Sequence, residues 1–158
     1  MIWLLLLLLV SLMFGVTGIS GAPWVPARKI DIQPLLRDAK LHKGDLFIEL
    51  GCGDGRLLAA AADHGAKAIG YELNPILWCI AYLRNVGRRQ VSVRLGNFWS
   101  VDLSQADVVM AFLVPRTTPR LAKKAKELKK GARLVSYIFP LPNRTPTRRG
   151  KSWLVYTY

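Results

Sequence analysis

The chain has 158 residues, with 23 Lys and Arg against 10 Asp and Glu and a formal net charge of +13. That length suits one domain, while 51% hydrophobic and 9% aromatic residues exclude wholesale disorder. The basic excess invites a nucleic-acid or anionic-membrane partner, yet no charged side chain precedes Arg28, so the N-terminal stretch is a different material from the rest.

The N-terminal MIWLLLLLLVSLMFGVTGI is uncharged and almost wholly apolar, and at ~1.5 Å per residue it nearly crosses a hydrocarbon layer of ~30 Å. We expect residues 1–20 to be a single transmembrane anchor. A cleaved signal peptide is the alternative, since Ser20-Gly21-Ala22 has the small residues of a cleavage site. The missing basic n-region speaks against it. Arg28 and Lys29 follow the span, which by the positive-inside bias places the protein in the membrane with its body facing the cytoplasm. Residues 21–27, with Pro23 and Pro26, read as a stiff linker, and residues 28–158 as the single folded domain.

Next, Ile32–Leu41 predicts a helix with Pro34 near its start. Strands and helices then alternate. Leu46–Leu50 reads as a strand and Arg56–His64 as an Ala/Leu helix closed by Gly65. Ala66–Leu73 reads as a second strand. Asn74-Pro75 supplies an N-cap and first-turn proline for a helix to about Asn85. Val91, Val93 and Leu95 alternate with polar residues as a third strand, and the apolar run Asp107–Val114 predicts a central strand buried on both faces. Thr118-Pro119 opens a helix with the narrow stripe Leu121, Ala125, Leu128. Arg133–Phe139 and Trp153–Tyr158 complete the pattern. This rhythm predicts an α/β fold, a mostly parallel sheet of six strands with helices on both faces.

In such sheets ligands bind beyond the carboxyl ends of the strands. The first strand runs into Glu49-Leu50-Gly51-Cys52-Gly53-Asp54-Gly55, where glycines at alternate positions permit a tight turn without Cβ atoms in a ligand's way. Glu72, at the end of the second strand, offers a carboxylate to the hydroxyls of a ribose. A dinucleotide site needs G-x-G-x-x-G; here the third glycine comes one residue early, and Glu49 and Asp54 would confront a pyrophosphate with negative charge. S-adenosyl-L-methionine, with an ammonium and a sulfonium and no phosphate, suits the acidic turn. Cys52 and Cys79 lack metal-ligand spacing and are too few for a disulfide framework. His42 and His64 stand in polar surroundings as ordinary surface residues, and no metal site is expected.

Phe47-Ile-Glu-Leu-Gly-Cys-Gly-Asp-Gly-Arg56 and Gly70-Tyr-Glu-Leu-Asn-Pro75 resemble the glycine motif and acidic post-motif of class I methyltransferases. More narrowly, they resemble the small protein-lysine methyltransferases that include the mitochondrial ATP synthase c-subunit lysine methyltransferase and its prokaryotic relatives. Trp24-Val-Pro26, Gly96-Asn-Phe-Trp99, Val114-Pro115 and Phe139-Pro140 match the same pattern. The resemblance implies a Rossmann-like methyltransferase fold and S-adenosyl-L-methionine as cofactor. It implies that Glu49, Gly51, Cys52, Gly53 and Gly55 line the methionine and ribose side, that Glu72 and Leu73 hold the ribose, and that Asn97 with the Phe98 backbone meets the adenine. Trp99 either walls the base or fills the core. The chain shows one closing strand where the family has a hairpin of two.

A lysine nucleophile must lose a proton before it attacks, and an apolar pocket favours its neutral form. Phe112, Val114 and Pro115, with Tyr137 and Phe139 behind them, are the candidate substrate pocket; no residue is nominated as catalytic. The expected function is membrane-anchored methylation of a lysine in a membrane-associated protein. A lipid or small-molecule methyltransferase and a noncatalytic cofactor-binding scaffold are the alternatives. The stretches 116–133 and 144–151 carry eight and four Lys or Arg against one Glu, which reads as a solvated face or a contact with an anionic membrane surface. Nucleic acid is disfavoured, because aromatic residues are sparse among those charges.

Overall fold

A computed structural model of the chain describes residues 2–5, 7–8, 11 and 24–158. Most of the expected anchor, 1–20, lies outside the described residues, as do residues 21–23 of the linker. Among the described residues no helix is long and apolar enough to cross a membrane.

The order of elements is α1 (Lys29–Asp38), β1 (Leu46–Leu50), α2 (Arg56–Asp63), β2 (Lys67–Glu72), α3 (Pro75–Arg84), β3 (Val91–Leu95), β4 (Val108–Ala111), α4 (Thr118–Lys124), β5 (Arg133–Tyr137), β6 (Arg148–Arg149) and β7 (Trp153–Thr157). The strands form one mixed sheet in the order β3-β2-β1-β4-β5-β7-β6. The first five are parallel; β7 runs antiparallel between β5 and β6.

Every residue of β4 is buried, as a strand covered on both faces requires. Alternation along β1 sends Phe47 to one core, where α1, α2 and Ala81 of α3 cover the sheet, and Ile48 to the other, under Leu121 of α4. Asn74 caps α3 as expected, its Oδ1 accepting from the N–H groups of Ile76 and Leu77. Gly70 sits where β2 crosses α2. A Cβ there would stand 2.4 Å from Leu58 Cδ1 and 2.8 Å from Cys52 Cβ, so its lack of a side chain sets the spacing between helix and strand.

Two expectations are corrected. The sheet has seven strands, not six. The missing one, Arg148–Arg149, is two exposed charged residues paired with Val155 and Leu154, too short and too polar to show an alternation. The hairpin closes tightly: Gly150 N–H donates to the Trp153 carbonyl, and a Cβ at position 150 would fall inside the Trp153 ring. Pro34 lies inside its helix, not at its start, because α1 begins at Lys29. There the buried Asp31 accepts from the Tyr137 hydroxyl and from Arg28 Nε (2.9 Å), while Arg28 reaches on to Ser152 Oγ (2.6 Å). These bonds fasten the N-terminal arm to β5.

We predict that Gly70→Ala lowers stability by about 1–3 kcal/mol through overpacking, read as a lower urea midpoint at unchanged slope.

Candidate active site

The glycine turn after β1 uses its own amides. The N–H groups of Gly51 and Cys52 both donate to the Tyr71 carbonyl at 2.9 Å, that of Gly55 to the Cys52 carbonyl at 2.8 Å, and that of Gly53 to Glu72 Oε2 at 2.9 Å. These four amides are spent within the protein and are not turned out to cradle a pyrophosphate. Glu72 is equally committed: Oε1 accepts the N–H groups of Leu73 and Asn74, both at 2.9 Å. Of roughly four lone-pair positions on a carboxylate, one on Oε2 remains for a hydroxyl.

Around this turn lies a cavity of about 320 Å³, bounded by Glu49, Gly51, Cys52, Gly53, Glu72 and Leu73 on the side of β1 and β2. Asn97, Phe98 and Trp99 close a second side, and Phe112, Leu113, Val114 and Thr117 a third. The structure therefore brings together most of the expected residues. Gly55 is outside the wall. Its φ of +72° and the Ala81 Cβ, which a side chain at 55 would approach to 2.9 Å, make it the pivot from turn to helix. Pro115 does not line the cavity either; it opens the 3₁₀ turn Pro115–Thr117, and Thr117 is the lining member. Tyr137 is buried against Phe112, ring centroids 4.8 Å apart, with its hydroxyl given to Asp31, and Phe139 is likewise not in the wall. Asn97 uses Oδ1 to cap the turn Phe98–Ser100, accepting from the Trp99 N–H at 3.0 Å. Trp99 lines the cavity beside Phe98 and carries Arg120 over its ring at 4.3 Å.

Sequence reasoning left two groups of residues out. Trp24, Val25, Pro26 and Ala27 form the fourth wall. The Trp24 indole lies directly on Gly53, where a Cβ would come within 2.4 Å of Nε1. The adjacent Trp-Val-Pro was visible, but its contact spans 29 residues and has no local signature. The second group is charged. Buried Asp54 accepts from Arg56 Nε (2.9 Å) and NH2 (2.7 Å) and from Arg84 NH2 (3.0 Å). Arg84 also bonds the Asp54 carbonyl, and Arg56 the Ala27 carbonyl. One carboxylate thus joins the turn, α3 and the N-terminal arm.

The electrostatics separate the two acids. Burial, then the charges of Asp54 and Glu72, push the Glu49 carboxyl well above the usual range, with Arg56 opposing. Its Oε2 is buried without a partner. Burial also raises Asp54, but its bonds and charge interactions with Arg56 and Arg84 outweigh that and hold it low. Burial pushes the Cys52 thiol far up, so it stays protonated and is no nucleophile. A buried acid with an unpaired oxygen, a carboxylate with one lone pair left and a turn whose amides are spent inward fit S-adenosylmethionine, whose tail is cationic.

A sequence model described as the ANTKMT methyltransferase domain matches residues 49–148, which include the glycine turn, Glu72 and Asn97. The chain belongs to the ANTKMT methyltransferase domain family. Within that family's reach, it is 37% identical over 130 residues to the ATP synthase c-subunit lysine N-methyltransferase of Mus musculus, covering 78% of this chain and 51% of that protein. It is 37% identical over 134 residues to a protein-lysine N-methyltransferase of Saccharolobus islandicus (strain REY15A), covering 81% and 83%. This ANTKMT-family chain spans about half the length of the vertebrate relatives it matches. Among solved structures, an RNA methyltransferase from Salinibacter ruber in complex with S-adenosyl-L-homocysteine superimposes with a TM-score of 0.80 at 29% identity, covering 84% of this chain and 93% of that one. A methyltransferase from Geobacter sulfurreducens, at 20% identity and a TM-score of 0.63, shares the fold.

Two substitutions test the electrostatics. A carboxyl held high in the native state costs stability as pH climbs from its unfolded value near ~4.3 through its folded one, because only the native chain keeps the proton. Glu49→Gln is therefore expected to raise the melting temperature of the cofactor-free protein near neutral pH, with the difference vanishing below about pH 4. Asp54 has the opposite sign: its contribution is present above ~3.9 and fades as pH falls through its lower folded value. Asp54→Asn should cost about 2 kcal/mol at pH 7, since it unpairs two arginines that are partly solvated. That penalty should shrink in acid unfolding experiments.

Proposed function

We propose that the chain methylates the side-chain amine of lysine in a protein substrate, with S-adenosylmethionine as methyl donor. The observation that carries this reading is the glycine turn itself, which spends the amides of Gly51, Cys52, Gly53 and Gly55 within the protein and leaves Glu49, with one buried oxygen unpaired, in the cavity wall. The lysine N-methyltransferase names of relatives at 36–37% identity support a lysine side chain as the substrate class.

S-adenosylmethionine, when bound, supplies an electrophilic methyl group on a sulfonium. Glu72 would hold a ribose hydroxyl through the lone pair left on Oε2, and Phe98 and Asn97 would meet the base. Glu49 would meet the cationic methionine tail. A positive charge beside Glu49 draws its carboxyl down, so binding is accompanied by release of a proton. Phe112, Leu113 and Val114 face the cavity from the end of β4 with no charged side chain among them. An amine entering there loses solvation and with it the preference for its protonated form. Trp24 and Val25 add apolar surface to the wall of the same cavity, the indole lying on Gly53. Proximity and orientation then carry the in-line displacement, for which no protein nucleophile is needed.

We further read the apolar N-terminal sequence as a membrane anchor that keeps the domain on the cytoplasmic side, beside a membrane-associated substrate. The uncharged run ahead of Arg28 and Lys29 supports it.

The decisive assay adds radiolabelled methyl donor to membranes from cells lacking the protein, with and without the purified chain. Label is expected in protein, as methyl-lysine; label confined to lipid or to RNA overturns the substrate class. Glu72→Gln is expected to weaken cofactor binding about 10- to 100-fold, the ~1.5–3 kcal/mol of a hydrogen bond to a charged group. Calorimetry in buffers of different ionisation enthalpy should register the released proton in the wild type and lose it in Glu49→Gln. For topology, a reporter fused after Tyr158 should be active in the cytoplasm; activity on the other side reverses the orientation.

A further inference from the structure

Helix α3 breaks the usual arrangement of a surface helix, which turns polar residues outward. Leu77, Ala81 and the C-cap Asn85 are buried against the sheet. The opposite face carries Ile76, Cys79, Ile80 and Leu83, a stripe at helical spacing. Ile80 is 41% exposed and Leu83 64%, and Val86, just past the helix, is 63% exposed. Contiguous exposed apolar surface of this kind marks a contact with a protein or a membrane.

The charge within the segment that carries the stripe is of one sign. Residues 73–101 contain Arg84, Arg88, Arg89 and Arg94 and no Asp or Glu. Where α3 ends, a hollow of about 600 Å³ is lined by Tyr82, Arg88 and Arg89 together with the start of β3. Arg88 also pairs with the exposed Asp63, and Arg84 is committed to Asp54. The stripe starts at the mouth of the cofactor cavity, for Leu73 is both exposed and part of its wall. Trp24, through which the chain leaves for its membrane-length apolar run, lies in that same wall.

The other basic region is a poorer lipid face, because none of the exposed large apolar side chains falls within residues 116–133 or 144–151, and several of its cations are committed as well. Lys124 is buried on the Val101 carbonyl, Lys129 pairs with Asp107, and Arg133 bonds the Ala39 carbonyl and Asp45. Arg120 lies on Trp99, Arg144 stacks on Tyr158, and Arg148 pairs with Asp38.

We infer that the outer face of α3 is a membrane-docking surface, with Ile80, Leu83 and Val86 entering the interface of an anionic bilayer and Arg88 and Arg89 meeting its phosphate headgroups. Apolar side chains beside arginines are what such an interface takes, with Arg89 free for a headgroup and Arg88 exchanging Asp63 for one. Docked this way, the domain turns the mouth of its cavity toward the bilayer. The inference rests on the proposed membrane-side substrate for its purpose, not for its geometry.

The stripe carries its own probe. Cys79 is an exposed free thiol, whereas Cys52 is buried and held protonated, so a thiol-directed, environment-sensitive fluorophore on the full chain labels position 79. A Cys79→Ser chain that takes no dye verifies this. The labelled chain is bound to phosphatidylcholine vesicles with or without phosphatidylglycerol, some carrying nitroxide quenchers on the acyl chains. The expected result is a blue shift and quenching at position 79, stronger with phosphatidylglycerol and lost in Leu83→Glu and Arg89→Glu. A chain that sediments with vesicles while its dye stays unquenched overturns the inference. So does quenching of a dye on Lys123→Cys in the Cys79→Ser background in place of position 79, which would put α4 on the lipid. A blue shift that grows with protein concentration without vesicles also overturns it, in favour of a second copy on the stripe. Methyl transfer to a soluble lysine peptide is followed in parallel, and Leu83→Glu should retain it. Failure of transfer in every chain, with position 79 still quenched, refutes the methyltransferase reading and leaves the docking surface standing.

Discussion

The carboxylate of Glu72 organises this molecule. It accepts the N–H of Gly53 across the crevice between two strands, and the N–H groups of Leu73 and Asn74 where β2 becomes α3. Buried amides must be satisfied, and here one side chain satisfies three of them at the point where the glycine turn, the end of β2 and the start of α3 converge. The shape of the cavity, the direction of α3 and the position of the one lone pair left for a ligand all descend from it.

Around that centre the two other acids behave differently because their surroundings differ. Asp54 is clasped by Arg56 and Arg84 and works as a structural anion, joining the turn to α3 and to the arm. Glu49 lies in the cavity wall with an unpaired oxygen and gains from protonation. In the proposed function a cationic ligand would relieve Glu49, so the free protein carries a destabilised group where binding would compensate for it.

Most of this was legible in the sequence where the signal is local. The alternation in Val91–Leu95, the apolar run through β4 and the Asn74-Pro75 cap each specify their element within a few residues, and Gly51, Gly53 and Glu72 do meet in the wall of one cavity. The rest escaped for physical reasons. β6 is two arginines whose pairing is dictated by the turn at Gly150, not by any pattern of their own. The Tyr137 hydroxyl is occupied by Asp31, 106 positions away, so its place at a strand end gave no warning that it faces inward. The Trp24 wall and the Asp54 clasp are contacts across 29 and 30 positions, set by the fold as a whole. The span expected over residues 1–20 falls mostly outside the described residues, and its support remains its composition.

The placement of the Trp24 indole on Gly53 has a consequence for how such chains can vary. The two positions form one steric unit: any side chain at 53 must displace the ring, and a smaller residue at 24 uncovers the turn. A smaller residue at 24 makes room at 53 but leaves the backbone strain of its φ of +52° in place, so changes at the two sites should be non-additive, with a coupling energy that neither single change discloses. The segment ahead of the first strand of the sheet thereby shares one steric constraint with the glycine turn.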